Sequence, residues 1–168
     1  MVLLGILGNL GSGKTLTLAY FAWRNLYYKH MRIFSNFDLK MPHVRIRNAG
    51  DILAMKDGFA AMDELWTWAD ARVSSSHKNK FLTMVLAKSR KRGINIAYTS
   101  QLMRQIDVRI RGVTDFLVFP RMIMNNQVCH VDIFSNPPTR PIKVFRFNAP
   151  IIWSLYDTSE EVEDLEFD

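Results

Sequence analysis

The chain has 168 residues, of which 48% are apolar, and it carries a formal net charge of +6. This composition predicts one folded domain with a substantial core and excludes a disordered chain. The single cysteine, Cys129, excludes an internal disulfide, and the four histidines lack the spacing of metal ligands. No segment approaches the ~20 apolar residues that span a bilayer.

The predicted elements alternate between strand and helix through residue 99. Strands are expected at 2–7, 31–34, 44–46, 58–62, 94–99, 115–119, 128–134 and 142–147. Helices are expected at 14–29, 50–55, 64–71, 78–92 and 101–112. From residue 115 onward only strands are predicted, which indicates antiparallel pairing around a turn at 122–127. The order predicts an α/β fold with a mostly parallel central sheet, helices on both faces and an antiparallel C-terminal extension.

The most specific motif follows the first predicted strand. Residues 8–15 match G-x-x-x-x-G-K-[ST] and lie between a strand and a helix, which is the context of a phosphate-binding P-loop. Lys14 is expected to reach the β- and γ-phosphates of ATP, and the Thr15 hydroxyl is expected to bind Mg²⁺. The predicted phosphate-contacting residues are Gly8, Asn9, Leu10, Gly11, Ser12, Gly13, Lys14 and Thr15.

A short apolar run at 58–62 is followed by two acidic residues. This pattern is typical of a central strand whose C-terminal end meets a ligand. Asp63 is predicted to hold the Mg²⁺ of ATP through its water shell, and Glu64 is predicted to polarise the attacking water. The alternative is that both residues only cap the following helix. Because a P-loop is also present, we favour the catalytic interpretation.

The strand predicted at 94–99 ends in Thr-Ser-Gln, which places a polar side chain beside the P-loop. Gln101 is the predicted sensor of the γ-phosphate or its attacking water, and Ser100 is the second candidate. Either residue could instead cap the helix predicted after the strand.

These motifs, with Asp70-Ala71-Arg72, the basic run at 89–93 and residues 155–158, resemble the FtsK–HerA branch of P-loop ATPases. The chain is most similar to the genome-packaging ATPases of archaeal viruses and the Zot-like assembly ATPases of filamentous phages. The resemblance implies a RecA-like core and a homo-oligomeric ring, hexamer or pentamer, that hydrolyses ATP between subunits and moves double-stranded DNA. It also implies an arginine that acts in the neighbouring subunit's ATP site. The candidates are Arg72, Arg90 and Arg92.

The charge of the chain is uneven. Residues 157–168 contain seven acidic residues and no lysine or arginine, so removing them from the net +6 leaves residues 1–156 at +13. Such a basic body predicts a polyanionic partner, most simply nucleic acid. We expect an ATPase domain at 1–156 and a flexible acidic tail at 157–168.

Three functions are compatible with these residues. The leading hypothesis is a DNA-translocating motor that packages a viral genome, acting in the host cytoplasm or on the virion with a capsid or membrane-associated viral partner. The second is a filamentous-phage assembly or export ATPase, for which a membrane helix is expected but is not visible. The third is a small-molecule kinase, which the pair Asp63-Glu64 disfavours because it suits attack by water.

Overall fold

The structure is a computed structural model that describes residues 2–68, 84, 89–157 and 160. The strands are β1 (Leu3–Leu7), β2 (Arg32–Ser35), β3 (Val44–Arg45), β4 (Gly58–Met62), β5 (Ile94–Ser100), β6 (Phe116–Ile123), β7 (Val128–Ser135) and β8 (Pro141–Asn148). The helices are α1 (Lys14–Lys29), α2 (Ala49–Ala54), α3 (Leu65–Trp68), α4 (Val108–Val113) and α5 (Ala149–Trp153).

The eight described strands form one sheet with the order β3-β2-β4-β5-β1-β6-β7-β8. Strands β1 to β6 pair in parallel, and β7 and β8 continue the sheet in antiparallel pairing. Because parallel strands end at the same edge, the segments that follow β1, β2, β4 and β5 meet at one carboxyl edge. The tip of β5 lies between the segments that follow β1 and β4.

Helices cover both faces of the parallel part of the sheet. On one face, α1 and α5 pack on a cluster that includes Leu18, Phe59 and Ile152. On the other face, α2 and α4 pack through Ile52 and Ile110. The predicted fold class is therefore confirmed. Among the described helices, none combines the length and the hydrophobicity that crossing a bilayer requires.

The helix predicted at 101–112 is wrong over its first half. A 3₁₀ turn at Met103–Gln105 and the short helix α4 replace it. The Gln105 side chain accepts the Leu102 N–H at 2.9 Å, and the Asp107 carboxylate accepts the Arg109 N–H at 2.9 Å. Asp107 therefore acts as an N-cap and starts a new helix instead of continuing the first.

Other elements differ from the prediction at their ends. β6 runs through Pro120 to Ile123, past the predicted end at residue 119. β1 pairs with β6 only as far as Val118. Because Pro120 lies beyond this pairing, its missing N–H removes no hydrogen bond to β1. Helix α5 was not predicted, and it begins with Pro150 in its first turn. The helix predicted at 78–92 lies mostly outside the described residues; Met84 is helical and Ser89–Arg92 is a 3₁₀ turn.

Candidate active site

The P-loop joins β1 to α1 at the carboxyl edge of the sheet. Gly11 and Gly13 have φ values of 76° and 92°, in the left-handed region that favours glycine. A Cβ built on Gly13 would lie 2.9 Å from the Sδ of Met122, so a side chain at residue 13 would displace the Met122 side chain of β6. The start of α1 therefore packs directly against the β6–β7 hairpin, which places that hairpin at the side of the loop.

Two polar groups in the loop are arranged for an anion. The Lys14 Nζ donates to the carbonyl of Asn9 at 3.0 Å. Partial burial lowers the pKa of Lys14, while the charges of Asp63 and Glu64 act in the opposite direction. The Ser12 Oγ is buried and has no hydrogen-bond partner among the described residues. A buried hydroxyl without a partner, in the same loop as a lysine, fits a phosphate-binding loop.

Asp63 is buried at the end of β4 and is held by two hydroxyls. The Thr15 Oγ1 donates to Oδ2 at 2.9 Å, and the Thr99 Oγ1 donates to Oδ1 at 2.5 Å. Burial raises the pKa of Asp63, and the bonds from Thr99 and Thr15 and the charge of Lys14 act against that rise. The structure thus brings together Thr15 and Asp63, the two residues predicted to hold Mg²⁺.

The main chain of Asp63 is held in place by Asn36, which the sequence analysis did not identify. The Asn36 Nδ2 donates to the Asp63 carbonyl at 2.9 Å, and its Oδ1 accepts the Asp63 N–H at 2.7 Å. Asn36 is 2% exposed and follows β2 directly. It therefore ties the ends of β2 and β4 together. The available signal in the sequence was that Asn36, a polar residue, directly follows an apolar strand.

Glu64 stands at the start of α3 in a conformation that is rare for residues with a side chain. Its φ is 48°, its N–H donates to the Thr99 Oγ1 at 2.8 Å, and its carbonyl accepts the Thr67 N–H at 2.9 Å. The Glu64 side chain lines the same cavity as Lys14. The main chain of Glu64 begins the helix while its carboxylate lies at the cavity, so the capping and catalytic interpretations are compatible.

Thr99 is the side chain at the tip of β5 that contacts the acidic pair. Ser100 is directed to the following loop, because its Oγ donates to the Leu102 carbonyl at 3.1 Å. Gln101 is half-buried and makes no hydrogen bond within the part of the chain that the structure describes. The role of Gln101 as a sensor stays a prediction.

Two of the three arginine candidates, Arg90 and Arg92, lie far from this cavity along the strand direction of the sheet within one subunit. Arg90 and Arg92 precede β5, at the amino edge of the sheet. The Arg92 Nη1 donates to the Leu53 carbonyl at 2.7 Å. Because β5 covers Ile94–Ser100, roughly 20 Å separates the two edges. Arg72 lies outside the described residues.

A cavity of about 250 Å³ opens between the P-loop and the acidic pair. The side formed by the P-loop, the start of α1 and the acidic pair is lined by Leu10, Gly11, Gly13, Lys14, Thr15, Leu16, Asp63 and Glu64. Four further residues complete its walls: Met122 and Asn126 from the β6–β7 hairpin, and Trp153 and Tyr156 from the C-terminal segment. The sequence analysis assigned none of these four to the site: Tyr156 entered only through the resemblance at 155–158, and nothing local in the pattern of the others connects them to residues 8–15.

The C-terminal segment reaches the cavity by crossing to the loop that follows β2. Leu39 and Tyr156 form an antiparallel bridge, and the Lys40 N–H donates to the Leu155 carbonyl at 2.6 Å. Further along, the Glu160 carboxylate accepts the Asp38 N–H at 2.6 Å. Burial raises the pKa of Tyr156, and the nearby charge of Asp63 adds to that rise. Trp153 and Tyr156 of this segment therefore form one wall of the cavity.

The residues fit Mg²⁺ bound together with a nucleotide. Within the described ranges, no group of three or more His, Cys, Asp and Glu residues gathers to hold a metal. The protein offers the hydroxyl of Thr15 and the carboxylate of Asp63, joined by one hydrogen bond. Mg²⁺ commonly takes one or two protein oxygens and completes its shell with phosphate oxygens and water. These two side chains meet that requirement.

Comparison with solved structures identifies relatives in fold. The N-terminal domain of the zonular occludens toxin from Neisseria meningitidis superposes with a TM-score of 0.63 at 17% identity, over 93% of this chain and 98% of that one. The genome packaging NTPase B204 from Sulfolobus turreted icosahedral virus 2, in complex with ATP-gammaS, gives 0.58 at 9% identity, over 88% and 97%. The sequence matches no protein-family model and no curated protein.

A second B204 structure agrees with the first. The DNA-packaging ATPase B204 from Sulfolobus turreted icosahedral virus gives a TM-score of 0.56 at 14% identity, over 84% of this chain and 98% of that one. At these identities the likeness is one of fold. It confirms the predicted resemblance to the Zot-like and archaeal-virus packaging proteins.

Proposed function

We propose that this chain is an ATP-hydrolysing motor that translocates double-stranded DNA and packages a viral genome into a capsid. The observation that carries the ATPase part is the convergence of Lys14, Thr15, Asp63 and Glu64 on one cavity. The packaging part is supported by the fold shared with B204 and by the net charge of +13 on residues 1–156.

Each residue at the cavity has a separate role in this proposal. The P-loop amides and Lys14 bind the β- and γ-phosphates, where a preorganised cation stabilises developing charge. Thr15 and Asp63 would hold Mg²⁺, which would supply neutralisation of charge on the phosphate oxygens. Glu64 orients water and accepts its proton as the water oxygen attacks the γ-phosphorus. The bond to the β–γ bridging oxygen then breaks, and ADP and phosphate are released.

The motor acts as a homo-oligomeric ring, hexamer or pentamer, in this proposal. Arg90 and Arg92 lie at the amino edge of the sheet, so an arginine from this position reaches an ATP site only across a subunit boundary. Arg72 is the third candidate for this role. The ring works in the host cytoplasm or on the virion, with a capsid or membrane-associated viral protein as its partner.

The proposal is tested by steady-state ATP hydrolysis with and without duplex DNA over a range of protein concentrations. We expect duplex DNA to stimulate turnover, and we expect specific activity to rise with protein concentration as rings close. Because contacts to phosphates release counterions, stimulation should fall steeply with added salt and be indifferent to base sequence.

Two other outcomes redirect the proposal. Hydrolysis that is indifferent to DNA would favour the second candidate, an assembly or export ATPase, which the fold shared with the zonular occludens toxin domain supports. Phosphate transfer to a small acceptor in place of water would favour a kinase. Specific activity independent of concentration, in a protein shown to be monomeric, would remove the ring.

A further inference from the structure

The cavity is an open cleft whose polar groups lie together on one side. Its volume of about 250 Å³ is below the roughly 300–1,000 Å³ of sites that enclose a small ligand. The part between Lys14, Asp63 and Glu64 is polar and suits phosphates and a cation. A nucleotide whose phosphates and cation bind in this polar part places its nucleoside along another wall of the same open cleft.

The order of the strands decides which wall this is. Hydrolysis requires the γ-phosphate beside Asp63 and Glu64, which follow β4. In the sheet, β4 and β6 lie on opposite sides of β1, three strand spacings or about 14 Å apart. A nucleotide whose γ-phosphate lies at the end of β4 thus extends past the P-loop toward the end of β6. On that side the wall is formed by Met122 and Asn126 of the hairpin, and Trp153 of α5 is the aromatic residue that lines the same cavity.

The side chains at this wall suit a purine base. Leu10, Met122 and Trp153 offer apolar and aromatic surface, and Leu10 is 86% exposed although it is a leucine. Asn126 lies at the tip of the hairpin, and its amide makes no hydrogen bond with any residue the structure describes. An amide with a free donor and a free acceptor pairs with the polar edge of a purine, and an aromatic face packs on its ring.

We propose that the tip of the β6–β7 hairpin and Trp153 form the nucleobase-binding wall of this site, with Asn126 hydrogen bonding the edge of a purine and Trp153 packing on its face. The inference rests on the proposed ATP-binding function and extends it to residues outside the P-loop and the acidic pair. It also gives the antiparallel extension a role in ligand recognition.

The hairpin supplies a matched pair of variants for the test. Asn125 and Asn126 both have left-handed backbones, with φ values of 51° and 63°, so glycine replaces either residue without backbone strain. Asn126 lines the cavity and Asn125 does not. Asn126→Gly removes the proposed base contact, and Asn125→Gly makes the same chemical change beside it.

The experiment measures the affinity of the full chain for Mg·ATP and for Mg·tripolyphosphate, a probe that carries the phosphates without a base. We expect Asn126→Gly to weaken ATP binding roughly tenfold and to leave tripolyphosphate binding unchanged. Asn125→Gly should bind both ligands as the wild-type chain does. Trp153→Leu should lose ATP affinity in the same selective way, and Trp153→Phe should retain most of it because a ring remains.

Three outcomes would count against the inference. Unchanged ATP affinity in Asn126→Gly and Trp153→Leu would place the base elsewhere. Equal losses for ATP and tripolyphosphate would show that the variants disturb the phosphate site and do not contact the base. A wild-type chain that binds neither ligand would refute the proposed ATP-binding function itself, which distinguishes that failure from failure of the base wall alone.

Discussion

The two edges of the parallel sheet differ in what they carry. The carboxyl edge gathers a cation, a hydroxyl and two carboxylates from segments that follow β1 and β4, with Thr99 between them. The amino edge carries Arg92, bound to a main-chain carbonyl of the segment before β4. One subunit therefore has the groups proposed to bind nucleotide and activate water at one edge, and Arg90 and Arg92 at the other. Under the proposed function, Arg90 or Arg92 would stabilise charge at an ATP site only from a second subunit.

The largest expected effect comes from removing the cation at the carboxyl edge. Lys14→Ala should lower ATP turnover about a thousandfold or more, because the γ-phosphate loses a preorganised positive charge. Steady-state hydrolysis of the purified variant measures this loss. Lys29→Ala, an exposed lysine in the last turn of the same helix, is the matched control and should retain turnover. Turnover near the wild-type rate in Lys14→Ala would remove the P-loop from the mechanism.

The amino edge is tested by Arg90→Ala combined with Arg92→Ala. We expect turnover to fall about a thousandfold if these arginines act in a neighbouring ATP site. Mixing this variant with Lys14→Ala should restore part of the activity, because mixed rings place intact ATP sites beside subunits that still supply arginines. Each variant assayed alone at the same total concentration is the control. Full turnover in the double variant would leave Arg72 as the candidate.

A smaller loss is expected when the carboxylate that activates water is neutralised. Glu64→Gln should slow hydrolysis roughly a hundredfold while ATP still binds, because glutamine keeps the shape but accepts no proton. Single-turnover hydrolysis and nucleotide binding separate the two effects. Glu160→Gln, whose parent carboxylate bonds Arg45 and Asp38, should hydrolyse ATP normally. Normal hydrolysis in Glu64→Gln would assign the water to Gln101 or another group.

The smallest effect concerns the pH range of binding. Asp63 must be ionised to hold Mg²⁺, and because burial raises its pKa, Mg·ATP binding should weaken as pH falls through that raised pKa. The hydroxyl of Thr99 lowers the pKa of Asp63, so Thr99→Val should move the acid limit of binding to higher pH. Thr99→Ser keeps the hydroxyl and should keep the wild-type limit. Measuring Mg·ATP affinity from acidic to neutral pH distinguishes the two variants. Identical pH profiles for Thr99→Val and Thr99→Ser would contradict the role of Thr99.

The fold and the residues that line the P-loop side of the cavity were largely predictable from local patterns. A glycine loop between an apolar strand and a helix restricts the backbone within eight residues, and the apolar run before Asp63 identifies a buried strand. The helix predicted at 101–112 was wrong in its first half because two side-chain caps, Gln105 and Asp107, divide the segment. The spacing of apolar residues does not reveal that side chains such as these compete for the main-chain N–H groups that a continuous helix would use.

By itself, the sequence determined the α/β class, the P-loop and the acidic pair, because each depends on residues that are neighbours along the chain. The tertiary structure alone decided which distant groups complete them. Asn36 bonds Asp63 across 27 residues and Thr99 bonds it across 36, since the sheet order brings the ends of β2, β4 and β5 together. The hairpin and Trp153 join the cavity for the same reason: strand order is set by packing over the whole chain, and no local pattern encodes it.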